Sequence, residues 1–248
     1  MRKNYKLIIG YDGTRYSGWE DKEGRDTIQG RLKNVLAHIS QEPVHIIGAG
    51  RTDAGVHAER MTANVFLDTG MSAEELREYL NHYLPADIVV HEVHEVEERF
   101  HARYNAVGKT YRYTIFDGVT KPLFDRKYVW QVEKRLDTER MKQAAEYLTG
   151  THDYASFCKN PKKKKSTVRT VDRIEIERRG DYVILTFHGD GFLHHMVRIM
   201  TGTLVETGLC KREPEQVRNA VLNNERSLAG ITAPAGGLCL WEIDYPAR

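Results

Sequence analysis

The sequence of 248 residues has few cysteines and no long apolar run. Cys158, Cys210 and Cys239 are far apart and odd in number, which fits reduced thiols better than a disulfide framework. No stretch approaches the roughly 18 apolar residues of a membrane span, and the apolar run over residues 7–9 is too short for a signal peptide. We therefore expect a cytoplasmic protein that makes no membrane contact.

Motifs for cofactors and metals are lacking as well. The sequence has no glycine-rich dinucleotide fingerprint and no phosphate-binding loop of the P-loop type. None of its eleven histidines shows the HExxH spacing of a zinc site. The adjacent His194 and His195 would point about 100° apart on a helix and could not hold one metal well. We expect neither a cofactor nor a metal.

Charge of one sign is not in excess, because 37 basic and 35 acidic residues leave a net charge of only +2. Composition alone therefore predicts no nucleic-acid partner. The distribution is uneven: residues 71–100 hold eight acids and two arginines, whereas the basic loop, residues 159–173, holds seven basic residues and one acid. Charge alone leaves two interpretations of this loop open, a solvated segment or a mobile arm that grips phosphates.

Hydrophobic spacing predicts the element order βαββαβ for residues 1–103. The predicted elements are a strand over residues 5–10, a helix over 28–39, strands over 44–47 and 63–67, a helix over 73–84 and a strand over 88–96. Asp26 or Thr27 caps the first helix, and Ser72 with Glu75 forms a capping box for the second. This order is that of a ferredoxin-like unit.

Residues 104–248 show a related order with additional helices. The predicted elements are strands over residues 109–116 and 128–132, a helix after Asp137, a hairpin over 174–187, helices over 192–208 and 213–223, and a strand over 238–245. We therefore predict an α+β fold of two ferredoxin-like βαββαβ halves, residues 1–103 and 104–248, with mainly antiparallel sheets. Only the element order indicates the repeat, since the two halves share no obvious sequence.

The stretch GAGRTDAGVHA, residues 48–58, joins two predicted strands. Loops held between strands often carry functional side chains. Arg51 can keep the nearby carboxylate of Asp53 ionised, and an ionised carboxylate can act as a nucleophile or a general base. Spacing alone nevertheless favours a plain turn, in which Asp53 bonds its own backbone and Arg51 is solvated.

This stretch resembles the catalytic loop of the tRNA pseudouridine synthase A (TruA) family. Five further blocks resemble that family, in the same order along the chain: YDGTRYSGW (11–19), TIQGRL (27–32), FHARYNAVGKTYRY (100–113), GFLHHMVR (191–198) and GLCLWEIDYP (237–246). The resemblance implies the pseudouridine synthase fold, in which two halves face a central RNA-binding cleft. It also implies a cofactor-free isomerisation of uridine to pseudouridine in the tRNA anticodon stem-loop (tRNA positions 38–40) by a homodimer that holds one tRNA across both subunits.

The resemblance also assigns roles to individual residues. Asp53 would be the catalytic group, attacking the sugar or the base or starting an elimination, and the sequence does not choose among these. Arg51 would bond the flipped-out nucleotide or its phosphate. Tyr111 would stack on the uracil and help remove a proton, and Arg198 would pair with the aspartate. An RNA substrate favours the arm interpretation of the basic loop, with Lys162, Lys163, Lys164 and Lys165 on the phosphates.

Three positions depart from the usual pattern of the family. Glu20 and Met61 stand where glutamine is usual, and Ile199 stands where asparagine is usual. None of them is one of the four residues given a chemical role, so the departures bear on the substrate rather than on the chemistry. Two alternatives stay open: a synthase that acts on ribosomal or messenger RNA and, from another class, a non-catalytic RNA-binding protein.

Overall fold

A computed structural model describes residues 2–160 and 165–246 of the chain. The chain forms two compact units. The first unit comprises residues 1–107 and 239–248, and the second comprises residues 108–238. The sequence predicted one division at residues 103–104; the structure differs in returning the C-terminal segment to the first unit. The cause is a parallel pairing in which Cys239 and Leu240 lie beside His57 and Ala58.

The first unit follows the predicted βαββαβ order. Its elements are β1 (Lys3–Tyr11), α1 (Ile28–Ala37), β2 (Ile46–Gly48), β3 (His57–Leu67), α2 (Ala73–Tyr83) and β4 (Ile88–Val96). Strand β1 lies between β3 and β4 and is antiparallel to both, and β2 is antiparallel to β3. The last strand of the chain, β10 (Leu238–Asp244), pairs with the start of β3.

Local sequence signals explain both helices of the first unit. Thr27 caps α1 by accepting the N–H of Gly30 at 3.2 Å. The predicted capping box of α2 is present, because Ser72 accepts the N–H of Glu75 and the Glu75 carboxylate accepts the N–H of Ser72. The apolar faces of these elements are completely buried and supply the core: Leu7, Ile9, Leu32, Leu36, Leu76 and Leu80.

The second unit keeps an antiparallel core with additions. Its elements are β5 (Gly108–Phe116), β6 (Trp130–Gln131), α3 (Thr138–Glu146), β7 (Gly150–Asp153), β8 (Val168–Arg179), β9 (Tyr182–Gly189), α4 (Met196–Gly208) and α5 (Pro214–Asn223). Strand β9 is antiparallel to β5 and β8, and β7 is antiparallel to β8. The predicted α+β class with mainly antiparallel pairing is confirmed. None of the described helices has the length and hydrophobicity needed to cross a membrane.

Two predicted boundaries in the second unit were wrong. The helix expected to start at Phe192 starts at Met196, because His195 has a left-handed backbone with φ of 63° and interrupts the helical geometry. The basic loop does not reach residue 173, because β8 already begins at Val168. There Val168 pairs with Asp153, and Val171 pairs with Gly189.

A buried carboxylate fixes the long connection between β5 and α3. The Asp117 side chain is fully buried and accepts two hydrogen bonds from Arg178, at 3.0 and 2.9 Å, and one from Arg135 at 3.2 Å. Burial raises the pKa of Asp117, but the hydrogen bonds from Arg178 and from the N–H of Leu136 outweigh burial and hold the pKa below its usual range. The carboxylate therefore stays ionised within the fold.

Candidate active site

The site loop, residues 49–56, connects β2 to β3 in the first unit. It carries Arg51, which is exposed, and Asp53, which is partly buried. The N–H of Val56 donates to the carbonyl of Asp53 at 3.1 Å and closes a turn around the aspartate. The backbone therefore turns at Asp53 through a bond to its carbonyl oxygen, and neighbouring segments make further hydrogen bonds to this loop.

Thr52, the residue before Asp53, is held by both its side chain and its backbone. Its hydroxyl lies 2.8 Å from the hydroxyl of Tyr11, at the end of β1, and both residues are buried. Its carbonyl accepts the N–H of Trp19 at 3.1 Å. These two bonds reach Thr52 from different segments, so the backbone that leads into Asp53 has little freedom to move.

Residues after Asp53 are anchored in the same way. The N–H of Gly55 donates to the carbonyl of Tyr16 at 3.3 Å, and the N–H of Gly13 donates to Nδ1 of His57 at 3.1 Å. Tyr16 is itself fixed by a hydrogen bond to Asp87, and burial together with this bond raises the pKa of Tyr16 to about 12. The connection from β1 to α1 therefore braces the site loop on both sides of the aspartate.

Close backbone approach explains two glycines in that connection. A Cβ on Gly13 would lie 2.0 Å from the carbonyl oxygen of Val56, which no side chain could accommodate. Gly18 has a φ of 97°, and a Cβ there would lie 2.7 Å from the carbonyl oxygen of Thr52. Both glycines let the connection lie directly against the site loop.

Arg51 forms an ion pair with Glu20. Their side chains are 65% and 36% exposed, so the pair faces solvent. Glu20 is carried by the same connection that braces the loop, directly after the buried Trp19. The arginine that the resemblance assigns to the substrate therefore has an acidic partner in the first unit.

Tyr111 belongs to the second unit and lies on β5 opposite Phe187 of β9. Only 9% of it is exposed. Its ring is nearly perpendicular to the ring of Phe192, with a centroid distance of 5.3 Å and an interplanar angle of 84°. This packing restricts the plane of the tyrosine ring.

Arg198 lies in the first turn of α4. Its Nε donates to the carbonyl of Ala233 at 2.8 Å, its own carbonyl accepts the N–H of Ala233, and its Nη1 lies 3.4 Å from Nε2 of His195. The next residue, Pro234, accepts the hydroxyl of Tyr113 on β5 at 2.8 Å. Residues 233–234 thus tie the arginine to the strand that carries Tyr111.

The predicted lysine arm is only partly described. Lys162, Lys163 and Lys164 lie outside the described residues. Lys165 is exposed in a bend three residues before β8. Its assignment to phosphates stays a prediction.

Several residues of this site were not singled out from the sequence. Tyr11, Trp19 and Thr52 stood inside blocks recognised by resemblance, yet nothing assigned them a structural role. The available signal was the pair of glycines within YDGTRYSGW, since closely spaced glycines often mark backbone that lies against another segment.

The geometry can support acid–base or nucleophilic chemistry on a carboxylate. In the first unit, Asp53 lies on a braced loop that also carries Arg51. A carboxylate on a braced loop needs little reorganisation of its backbone, which lowers the entropy cost of a reaction. An α+β fold with such a loop agrees with the pseudouridine synthase fold that the resemblance implies.

Comparisons with known proteins identify the family. The family model described as tRNA pseudouridine synthase matches residues 7–105 and 144–246. A protein named tRNA pseudouridine synthase A from Bacillus sp. (strain KSM-64) is 46% identical over 243 residues, which cover 98% of this chain and 99% of that protein. A protein named tRNA pseudouridine synthase A 2 from Clostridium tetani is 42% identical and covers 99% of this chain and 100% of its own length. The chain belongs to the tRNA pseudouridine synthase A family.

A solved Cbf5-Nop10-Gar1 complex contains a chain that is 11% identical with a TM-score of 0.38, covering 95% of this chain and 48% of that one. This similarity is too low to support any comparison of sites.

Proposed function

We propose that the protein isomerises uridine to pseudouridine in the anticodon stem-loop of tRNA. The observation that carries this proposal is the bracing of Asp53, whose two flanking segments are hydrogen-bonded to the connection between β1 and α1. A protein that only binds RNA has little use for a carboxylate on a braced loop that faces a polyanion. The names of full-length relatives supply the substrate class.

In the proposed reaction the target uridine is flipped out of its stack, at a cost of a few kcal/mol. The bond from uracil N1 to ribose C1′ breaks, the base rotates, and a bond forms between C5 and C1′. The hydrogen on C5 leaves as a proton and N1 gains one, so atoms and electrons balance without an oxidant or reductant. Asp53 either attacks the sugar or the base covalently or starts an elimination, and experiment can distinguish these routes.

The other residues have supporting roles in this proposal. Arg51 binds a phosphate or the flipped nucleotide, because a guanidinium forms paired hydrogen bonds to phosphate oxygens. Tyr111 stacks on the uracil and assists loss of the C5 proton. Arg198 keeps Asp53 ionised, and the lysine arm binds the RNA backbone. The enzyme works in the cytoplasm as a homodimer, which offers a bulky tRNA a larger surface.

Site mapping tests the substrate assignment. An unmodified tRNA transcript with uridines at positions 38–40 is incubated with the protein, and pseudouridine is located by carbodiimide treatment and reverse transcription. A matched transcript with cytidine at those positions is the control. We expect modification of the first transcript alone. Modification absent from tRNA but present in ribosomal or messenger RNA of cells that carry the gene would contradict the tRNA assignment and leave the chemistry standing.

A further inference from the structure

Glu20 forms an ion pair with Arg51, the arginine that the proposed function assigns to RNA binding. We propose that Glu20 holds Arg51 in the RNA-free protein and competes with an RNA phosphate for it, so that Glu20 sets the affinity for the substrate. This inference rests on the proposed function and concerns the RNA-binding half of the same loop. Glu20 is a positioning residue here, since it acts on RNA only through the guanidinium of Arg51.

The position of Glu20 is fixed by its neighbours on both sides. Trp19 is 2% exposed; its N–H donates to the carbonyl of Thr52, and its carbonyl accepts the N–H of Gln29 in α1 at 3.0 Å. The N–H of Asp21 donates to Oε1 of Gln29 at 2.7 Å. Because the residues before and after Glu20 are both anchored, the backbone of Glu20 has little freedom to move. Its carboxylate is therefore kept near the site loop.

The ion pair is nonetheless easy to exchange. Arg51 is 65% exposed, and exposed ion pairs are weak because water screens the charges and long side chains lose freedom in pairing. The two non-bridging oxygens of an RNA phosphate can accept paired hydrogen bonds from the guanidinium, as the two oxygens of a carboxylate can. RNA binding also releases condensed counterions, which favours the phosphate. Arg51 can therefore pass from Glu20 to an arriving phosphate at modest cost.

Replacing the acid with its amide removes the competitor and keeps the shape. In Glu20→Gln the guanidinium of Arg51 keeps a neighbour of the same size but regains its net positive charge toward RNA. We expect KM for tRNA to fall by about two- to fivefold, the range that corresponds to a weak exposed ion pair. We expect kcat to stay within about twofold, because Glu20 touches none of the groups assigned to bond making or breaking.

The matched control is Glu23→Gln. Glu23 is exposed, lies three residues further along the same connection, and makes no ion pair among the residues that the structure describes. The substitution Glu23→Gln therefore removes the same charge from the same connection without releasing Arg51. Steady-state kinetics on an unmodified tRNA transcript are measured for the wild type and both variants, at two salt concentrations. A fall in KM for Glu20→Gln that clearly exceeds that for Glu23→Gln supports the proposal, and equal effects overturn it.

A double-mutant cycle with Arg51→Gln tests the route of the effect, read as the Kd for tRNA by filter binding. We expect Glu20→Gln to tighten binding when Arg51 is present and to have no more effect than Glu23→Gln when it is absent. An undiminished effect in the Arg51→Gln background overturns the proposal, as does a large fall in kcat for Glu20→Gln. Failure of the proposed function gives a different result, since the wild type would then bind tRNA without modifying it.

Discussion

Replacing Tyr11 with phenylalanine removes one hydroxyl from the bracing of the site loop. The Tyr11 and Thr52 hydroxyls lie 2.8 Å apart, and the two residues are 5% and 7% exposed. Loss of one partner from a buried hydrogen bond costs about 1–2 kcal/mol of stability, because the remaining hydroxyl stays out of water. We therefore expect the free energy of unfolding to fall by that amount, measured by urea denaturation.

The same substitution should lower kcat more than it changes KM. Misplacing a reacting group by about 1 Å can cost about 100-fold in rate. The carbonyl of Thr52 stays bound to the N–H of Trp19, so the displacement of Asp53 is limited. We expect kcat to fall about tenfold, which corresponds to about 1.4 kcal/mol in activation free energy. Tritium release from tRNA labelled at C5 of its uridines measures both parameters.

Tyr245→Phe is the matched control. The Tyr245 hydroxyl donates to the carbonyl of Ala102 at 2.6 Å in the same unit. Neither residue belongs to the site loop. This variant should lose about 1 kcal/mol of stability and keep kcat within about twofold. If Tyr11→Phe loses stability as expected but keeps its full kcat, the hydrogen bond to Thr52 does not position Asp53 and the reasoning fails.

Two further predictions concern stability. Asp117→Asn should lower the free energy of unfolding by about 2–4 kcal/mol, because it removes the charge of a fully buried carboxylate that accepts hydrogen bonds from Arg178. Asp181 is 56% exposed, so Asp181→Asn should cost less than about 1 kcal/mol, and urea unfolding of both variants measures the difference. His94 and Arg60 lower the pKa of Glu92 to about 2, so its contribution is present above the unfolded pKa and is lost as pH falls. With Glu92 39% exposed, Glu92→Gln should cost less than about 1 kcal/mol at pH 6, and this difference from wild type should shrink between pH 4.5 and 2.

Elements with strong local signals could be predicted from the sequence. Thr27 and the pair Ser72 and Glu75 mark helix starts through the chemistry of their own side chains, and the structure places the caps there. Strand β7, with sequence GTHD, could not be predicted, because it has no apolar alternation and forms only through pairing with β8. The start of α4 depends on the left-handed backbone conformation of His195, and a histidine in the sequence does not indicate that conformation.

The resemblance names candidate site residues, but it does not show which contacts hold their loop in place. Resemblance singled out Arg51 and Asp53, whereas the contacts that brace them come from Tyr11 and Trp19, more than thirty residues earlier. Such contacts depend on how β1 and β3 pair, which local spacing does not encode. Glu20 was visible as a departure from the family pattern, but only the structure shows that it pairs with Arg51.

Tritium release by the wild type and by Asp53→Asn, side by side, tests the central claim most directly. The hydrogen on C5 of uridine is lost only when the new carbon–carbon bond forms, so release reports the isomerisation itself. Asp21 is an exposed aspartate that forms an ion pair with Lys33, and Asp21→Asn is the control for removal of a negative charge. We predict release by the wild type and the control, and a loss of at least about 1000-fold in Asp53→Asn with folding and tRNA binding retained. Release by Asp53→Asn at a rate near that of the wild type would contradict the account.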